Sequence, residues 1–230
     1  MNIPLPLEMP SKYKREYMKV VKDTIAKIRK MEAERKPVAA EHMVLIEKLK
    51  QVTARGKLDM VIEWTKDVIE NEKLIIFCTH TEIVDKLLEQ FADVAVEITG
   101  RIPVGPKRDA MIDAFMNDPT KTLCIANIQA GGVGLTLTSA SKVLFMEFPW
   151  NPKDIDQASD RVHRIGQEEN VMIYYAAAAE TIDEMIVDVL IQKAHIIDEI
   201  MDGEASDDLS VIKEVVERFM REAEQLEMEF

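Results

Sequence analysis

The chain has 230 residues, 47% hydrophobic and 31% charged, a balance that fits a globular protein and excludes fibrous and disordered classes. No apolar run approaches the ~20 residues a bilayer-crossing helix needs, and the opening MNIPLPLEMPSKYKRE lacks the apolar core of a signal peptide. Cys78 and Cys124 each sit inside an apolar segment, so the expectation is a cytoplasmic protein with two reduced core thiols and no membrane association.

The formal net charge is −13, but it is unevenly spread. Residues 1–57 carry 14 Lys/Arg against 7 Asp/Glu, a balance of +7; residues 58–175 stand at −8 and residues 176–230 at −12. A basic front suits a protein that meets phosphate with one surface, and it equally suits a set of solvated helix faces.

Residues 1–10 contain three prolines and read as an extended lead-in. Ser11 is placed to cap a helix reaching about Lys36, with Tyr13, Tyr17, Val20, Val21, Thr24, Ile25 and Ile28 on one face. Pro37 separates it from a helix over 38–54, with Met43, Leu45, Ile46, Leu49 and Val52 inward, and a further helix over 57–71 has Leu58, Ile62, Val68 and Ile69 inward. Beyond Lys73 the pattern changes. LIIFC (74–78), VAVEI (94–98), TLCIA (122–126), KVLFME (142–147) and VMIYYA (171–176) are short apolar runs separated by helical patterns at 81–91, 106–117 and 152–163. Strands that alternate with helices predict an α/β fold around a parallel sheet with right-handed crossovers. Helical patterns return at 181–201 and 209–228, divided by Gly203 and an acidic stretch.

Residues 129–167 carry the chemistry. Gly131, Gly132 and Gly134 follow a predicted strand, where glycine lets backbone N–H groups approach a phosphate closely; such a loop is as often purely structural. Arg161 and Arg164 lie three residues apart at the end of a helical pattern. That spacing fits a clamp on a polyphosphate, and it fits equally a pair of surface arginines matched with Asp156 and Asp160. The Asp-Glu pairs at 183–184 and 198–199 fall in helical patterns and read as surface charge.

In sequence order, GGVGLTLTSA (131–140), WNP (150–152) and QASDRVHRIGQ (157–167) closely resemble the motor core of the Snf2 family in helicase superfamily 2. The likeness extends over about 4–200. The segment 54–91 resembles the family's entry helix and first strand, Arg108 and Phe115 match the next conserved segment, and 171–186 resembles a strand followed by a Thr-Ile-Glu-Glu brace. Thr136-Leu137 stands where the family usually has Asn-Leu, Glu147 where it often has Asp, and Asn127-Ile128 where Ser/Thr is commoner. The first two variants are similar to a distant branch that includes the annealing helicases.

This resemblance implies a RecA-like C-terminal lobe over 57–180, preceded by a linker and helical extension at 1–56 and followed by a helical brace and acidic tail at 181–230. It implies that Arg161 and Arg164 serve as arginine fingers, that Gly132, Gly134, Gln157 and Asp160 shape or position the nucleotide-facing loop and helix, and that Thr79, Lys107, Gly131, Trp150 and Asn151 meet DNA. Trp150 also suits a packed anchor between its two prolines, and His163 a residue that orients the arginines. No G-x-x-x-x-G-K-[ST] motif occurs. ATP and Mg²⁺ are therefore expected to be held mainly by an N-terminal RecA-like lobe of the same polypeptide, and this lobe alone is expected to be inactive. Duplex DNA is the expected partner, in a nucleoid or a nucleus according to the organism. The alternatives are a freestanding DNA- or protein-interaction lobe and, fitting the motif less well, a lobe of an RNA helicase.

Overall fold

The computed structural model describes residues 1–127, 137–162, 170–199 and 208–228. Its elements in chain order are β1 (Asn2–Leu7), α1 (Ser11–Ala33), α2 (Ala39–Ile69), β2 (Leu74–Cys78), α3 (Thr81–Gln90), β3 (Ala95–Ile98), α4 (Pro106–Asn117), β4 (Leu123–Asn127), β5 (Lys142–Phe145), α5 (Pro152–Asp160), β6 (Met172–Ala178), α6 (Ile182–Glu199) and α7 (Asp208–Met228). The chain divides into two compact units. The first comprises Met1–Pro6, Leu58–Pro149 and Lys153–Ala176, and the second Leu7–Lys57, Trp150–Pro152 and Ala177–Phe230.

The first unit is built on a six-stranded sheet of order β1-β6-β5-β2-β4-β3. Strand β2 pairs in parallel with β4 on one side and β5 on the other; β3 pairs in parallel with β4, and β6 with β5. Every residue of β2 is buried, as expected of a central strand covered on both faces. At the sheet's edge, β3 alternates half-buried and buried positions. Phe77, Phe145 and Tyr175 occupy one register line across β2, β5 and β6. Their rings stack at 5.2 and 5.6 Å between centroids, which fixes the register by shape as well as by hydrogen bonds. All five expected strands are present. The proline-containing lead-in supplies a sixth, β1, which lies beside β6 and to which the Ile173 amide donates at the Met1 carbonyl, 2.9 Å. An edge position tolerates its prolines because only one side needs N–H donors. Cys78 and Cys124 are buried thiols, and burial pushes the Cys124 thiol far above its ordinary range.

The second unit holds α1, α6, α7 and the first part of α2. Helix α1 buries Tyr17, Val21, Thr24, Ile25 and Ile28. Its cap differs from expectation. Pro10 is the cap residue and makes no side-chain bond, while its carbonyl takes the amides of Tyr13 and Lys14 at 2.9 and 3.1 Å; Ser11 is already helical. The two helices expected over 38–54 and 57–71 are one helix of 31 residues, α2. Glycine at 56 suggests a break, but here it permits close packing. A Cβ on Gly56 would lie 2.6 Å from Met9 Sδ, so the helix continues through a residue chosen for lack of volume.

Asp183, read from sequence as surface charge, is 2% exposed. Its Oδ2 accepts from Lys57 Nζ at 2.7 Å and its Oδ1 from Thr53 Oγ1 at 2.8 Å, while the Ala178 amide also donates to Oδ2, 3.2 Å. The helical pattern was right, but periodicity does not reveal that a buried lysine waits 126 residues earlier. The Tyr17 hydroxyl accepts the Ile182 amide at 2.8 Å, satisfying one of the open N–H groups at the start of α6.

Candidate functional site

In a parallel sheet every strand runs the same way, so the residues that follow each strand gather at one edge. Open α/β sheets bind ligands at that edge, where the chain crosses from one side of a central strand to the other. Here the crossing lies at β2, with β4 on one side and β5 on the other. The residues after β2 are Thr79 and His80, and those after β5 lead to Glu147.

Glu147 joins these two turns. It is 3% exposed. One carboxylate oxygen accepts the backbone amides of Thr79 and His80 at 2.8 and 2.9 Å, and the other accepts from the His80 ring Nδ1. Burial by itself would push this carboxyl up. The His80 hydrogen bond and charge, with the two amides, outweigh it and hold Glu147 below the ordinary carboxylate range. Thr79 remains exposed beyond the end of β2, and its carbonyl accepts from Asn127 Nδ2 at 3.4 Å. Glu147 was legible in the sequence only as a variant of the family's aspartate. The signal available was an acidic residue directly after an apolar strand.

Lys107 is exposed in the first turn of α4, which is entered through Gly105 at φ 135° and Pro106. Only glycine adopts that backbone angle readily, so Gly105 sets the direction from which α4 departs. Arg108, the next residue, is 7% exposed and donates to the Thr99 carbonyl at 2.6 Å, tying α4 to the end of β3.

Gln157 and Asp160 are exposed on α5. Arg161 follows that helix and is buried, at 8% exposure. Its Nε donates to the Gln157 carbonyl at 3.1 Å, and its own carbonyl accepts the Leu137 amide at 3.0 Å. The end of the arginine helix is thereby bonded to the first described residue beyond the glycine loop. Gly131, Gly132, Gly134, His163 and Arg164 lie outside the described residues. In the second unit, Trp150 and Asn151 are half-buried. Lys50 Nζ sits 4.4 Å from the Trp150 ring centroid and is itself 6% exposed, which gives Trp150 a packed cation–π contact.

Residues 56–166 match the helicase conserved C-terminal domain. Over 166 residues, 70% of its length, the chain is 34% identical to the mouse DNA annealing helicase and endonuclease ZRANB3. The chain thus carries a helicase C-terminal domain homologous to those of the Snf2-family ATPases. It is also 33% identical, over 173 residues and 74% of its length, to the uncharacterized ATP-dependent helicase YqhH of Bacillus subtilis. The chain spans 15% of the mouse protein and 30% of the Bacillus one. Among solved structures, the C-terminal part of the Fun30 ATPase domain superposes with a TM-score of 0.73 at 19% identity, covering 95% of this chain and 98% of that one. The Sulfolobus solfataricus SWI2/SNF2 ATPase core in complex with dsDNA gives 0.69 at 23%, covering 85% of this lobe and 44% of that chain. These likenesses establish the RecA-like α/β fold.

Proposed function

We propose that this lobe is the second half of an ATP-driven motor that moves on duplex DNA. The observation that carries the reading is the match of residues 56–166 to the helicase conserved C-terminal domain, within which the Leu137 amide bonds the Arg161 carbonyl at the end of α5. ATP and Mg²⁺ are held mainly by an N-terminal RecA-like lobe of the same polypeptide, whose phosphate-cradling loop this sequence lacks. Arg164 reaches the γ-phosphate from the facing lobe and stabilises the charge that develops during transfer. Arg161, expected as a second finger, is buried with its Nε on the Gln157 carbonyl, and we assign it instead to holding the segment that carries Arg164. Gln157 and Asp160 position the arginine helix, and Gly132 and Gly134 shape the loop that responds to nucleotide.

On the DNA side, Thr79 and Lys107 meet backbone phosphates, with Gly131, Asn151 and Trp150 as further contacts. Such contacts carry no sequence preference and weaken with salt. The lobe works where duplex DNA is held, in a nucleoid or a nucleus.

The test is Arg164→Ala in the complete two-lobed protein. DNA-stimulated ATP hydrolysis should fall by ~10³–10⁵ with the circular dichroism spectrum unchanged. Retained turnover would remove the finger role. The lobe alone should hydrolyse no ATP above background.

A further inference from the structure

Helix α1 has a second face that the motor reading does not use. It lies in the second compact unit. Its inward side buries Tyr17, Val21, Ile25 and Ile28. At 3.6 residues per turn, Lys12, Arg15, Lys19, Lys22, Arg29 and Lys30 fall on a single outward arc of about 100°, and all six are exposed. The three acidic residues of α1 lie outside that arc. Glu16 is occupied with Arg55 at 2.6 Å, Glu32 lies toward the inward side, and Asp23 borders a groove lined by Lys14, Arg15, Met18, Lys19 and Lys22. Lys14 in that groove is already engaged by Glu8 at 2.9 Å.

A solvated helix face ordinarily alternates charge, because unlike residues three or four apart attract and like ones repel. Within this arc the charges do not alternate, and the unlike neighbours Glu16 and Asp23 lie on one flank of it. Lys12/Arg15 and Lys19/Lys22 are like pairs at i,i+3, and Arg15/Lys19 is a like pair at i,i+4. The helix carries this repulsion within a chain whose net charge is −13, where acidic partners are abundant.

The row has no apolar centre, whereas a protein-binding surface is depleted of charge at its middle. The apolar side of α1 is spent on its own core and leaves Met18, 43% exposed, as a lone large apolar side chain beside the row, too little to anchor the helix in a lipid surface. From Lys12 to Lys30 the row runs about 27 Å. That suits a polyanion with charge repeating along an axis, as duplex DNA does at one charge per ~1.7 Å.

We infer that the outward face of α1 is an accessory binding surface for the phosphate backbone of duplex DNA, separate from the strand-end contacts. The inference rests on the duplex-DNA reading above. On this surface the cations release counterions without reading sequence, and grip there need not vary with the nucleotide state.

The test uses this chain, a fluorescent ~30-base-pair duplex and anisotropy over a salt series. The variant Arg15→Glu/Lys19→Glu/Lys22→Glu should bind at least about tenfold more weakly at ~0.1 M salt, and its log–log salt slope should be shallower by about 2–3. A variant with the same charge change elsewhere, Lys86→Glu/Lys121→Glu/Lys213→Glu, should bind much closer to wild type. If the two variants weaken binding equally, or neither does, the accessory surface is wrong while the DNA reading stands. If wild type itself binds no duplex at low salt, the DNA reading fails and takes this surface with it. If the α1 variant binds DNA more tightly than wild type, the row instead serves the acidic stretches of its own chain, which also overturns the proposal.

Discussion

Glu147 and His80 meet across the central crossing of the sheet: the glutamate, after β5, takes both the ring N–H and the backbone amide of the histidine after β2. A single buried carboxylate thus sets the path of the turn that exposes Thr79. With three donors on two oxygens, it acts as the fixed end of that turn.

The depressed ionisation of Glu147 makes this arrangement acid-sensitive. Its folded-state value lies below its unfolded one, so the stability it contributes is complete above the ordinary glutamate range. That contribution is lost as pH falls through the lowered folded value. Urea midpoints measured from pH 6 down to 3 should decline more steeply for wild type than for Glu147→Gln. At pH 7 the same variant should cost about 1–3 kcal/mol by weakening the bonds to the Thr79 and His80 amides. Parallel pH curves would show that the carboxylate does not titrate with folding.

The Lys57–Asp183 pair, with side chains 1% and 3% exposed, should behave as a coupled unit. Lys57→Met or Asp183→Asn alone leaves a buried charge without its counterpart and should cost about 3–5 kcal/mol. The double variant Lys57→Met/Asp183→Asn should be much less destabilised than the sum of the single variants. A double-mutant cycle on denaturation midpoints reads this directly, and additive losses would contradict it.

Gly56→Ala sets two effects against each other. Alanine favours an interior helical position by about 0.8–1 kcal/mol over glycine. The added Cβ meets Met9 Sδ at 2.6 Å, and Met9 is 4% exposed, so overpacking of about 1–3 kcal/mol should win. The variant should melt below wild type. Met9→Ala introduced with it should recover part of the loss; an increased melting temperature for Gly56→Ala alone would show that Met9 yields freely.

At the strand-end edge, Lys107→Ala should weaken binding of this lobe to duplex DNA uniformly across sequences and make the salt slope shallower by about 1. Thr79→Ala should lower affinity without changing the slope, because its contact is uncharged. Titrations with two unrelated duplexes separate these outcomes. Sequence-dependent losses would argue against backbone contacts.

The strands were legible because both faces of a central parallel strand are buried, which leaves short apolar runs, and because these runs alternate with helical patterns and turn residues. The family was legible for a related reason. Its motifs set particular residue types at fixed spacing, GGVG (131–134) and QASDRVHRIGQ (157–167). Tertiary structure alone decided what depends on partners distant in the chain. Burial of Asp183 needs Lys57, the lack of a side chain at position 56 answers to the sulfur of Met9, and the grip of Glu147 needs a turn 67 and 68 residues earlier. Local pattern records the face a residue turns inward, but the charge or volume waiting there belongs to another segment.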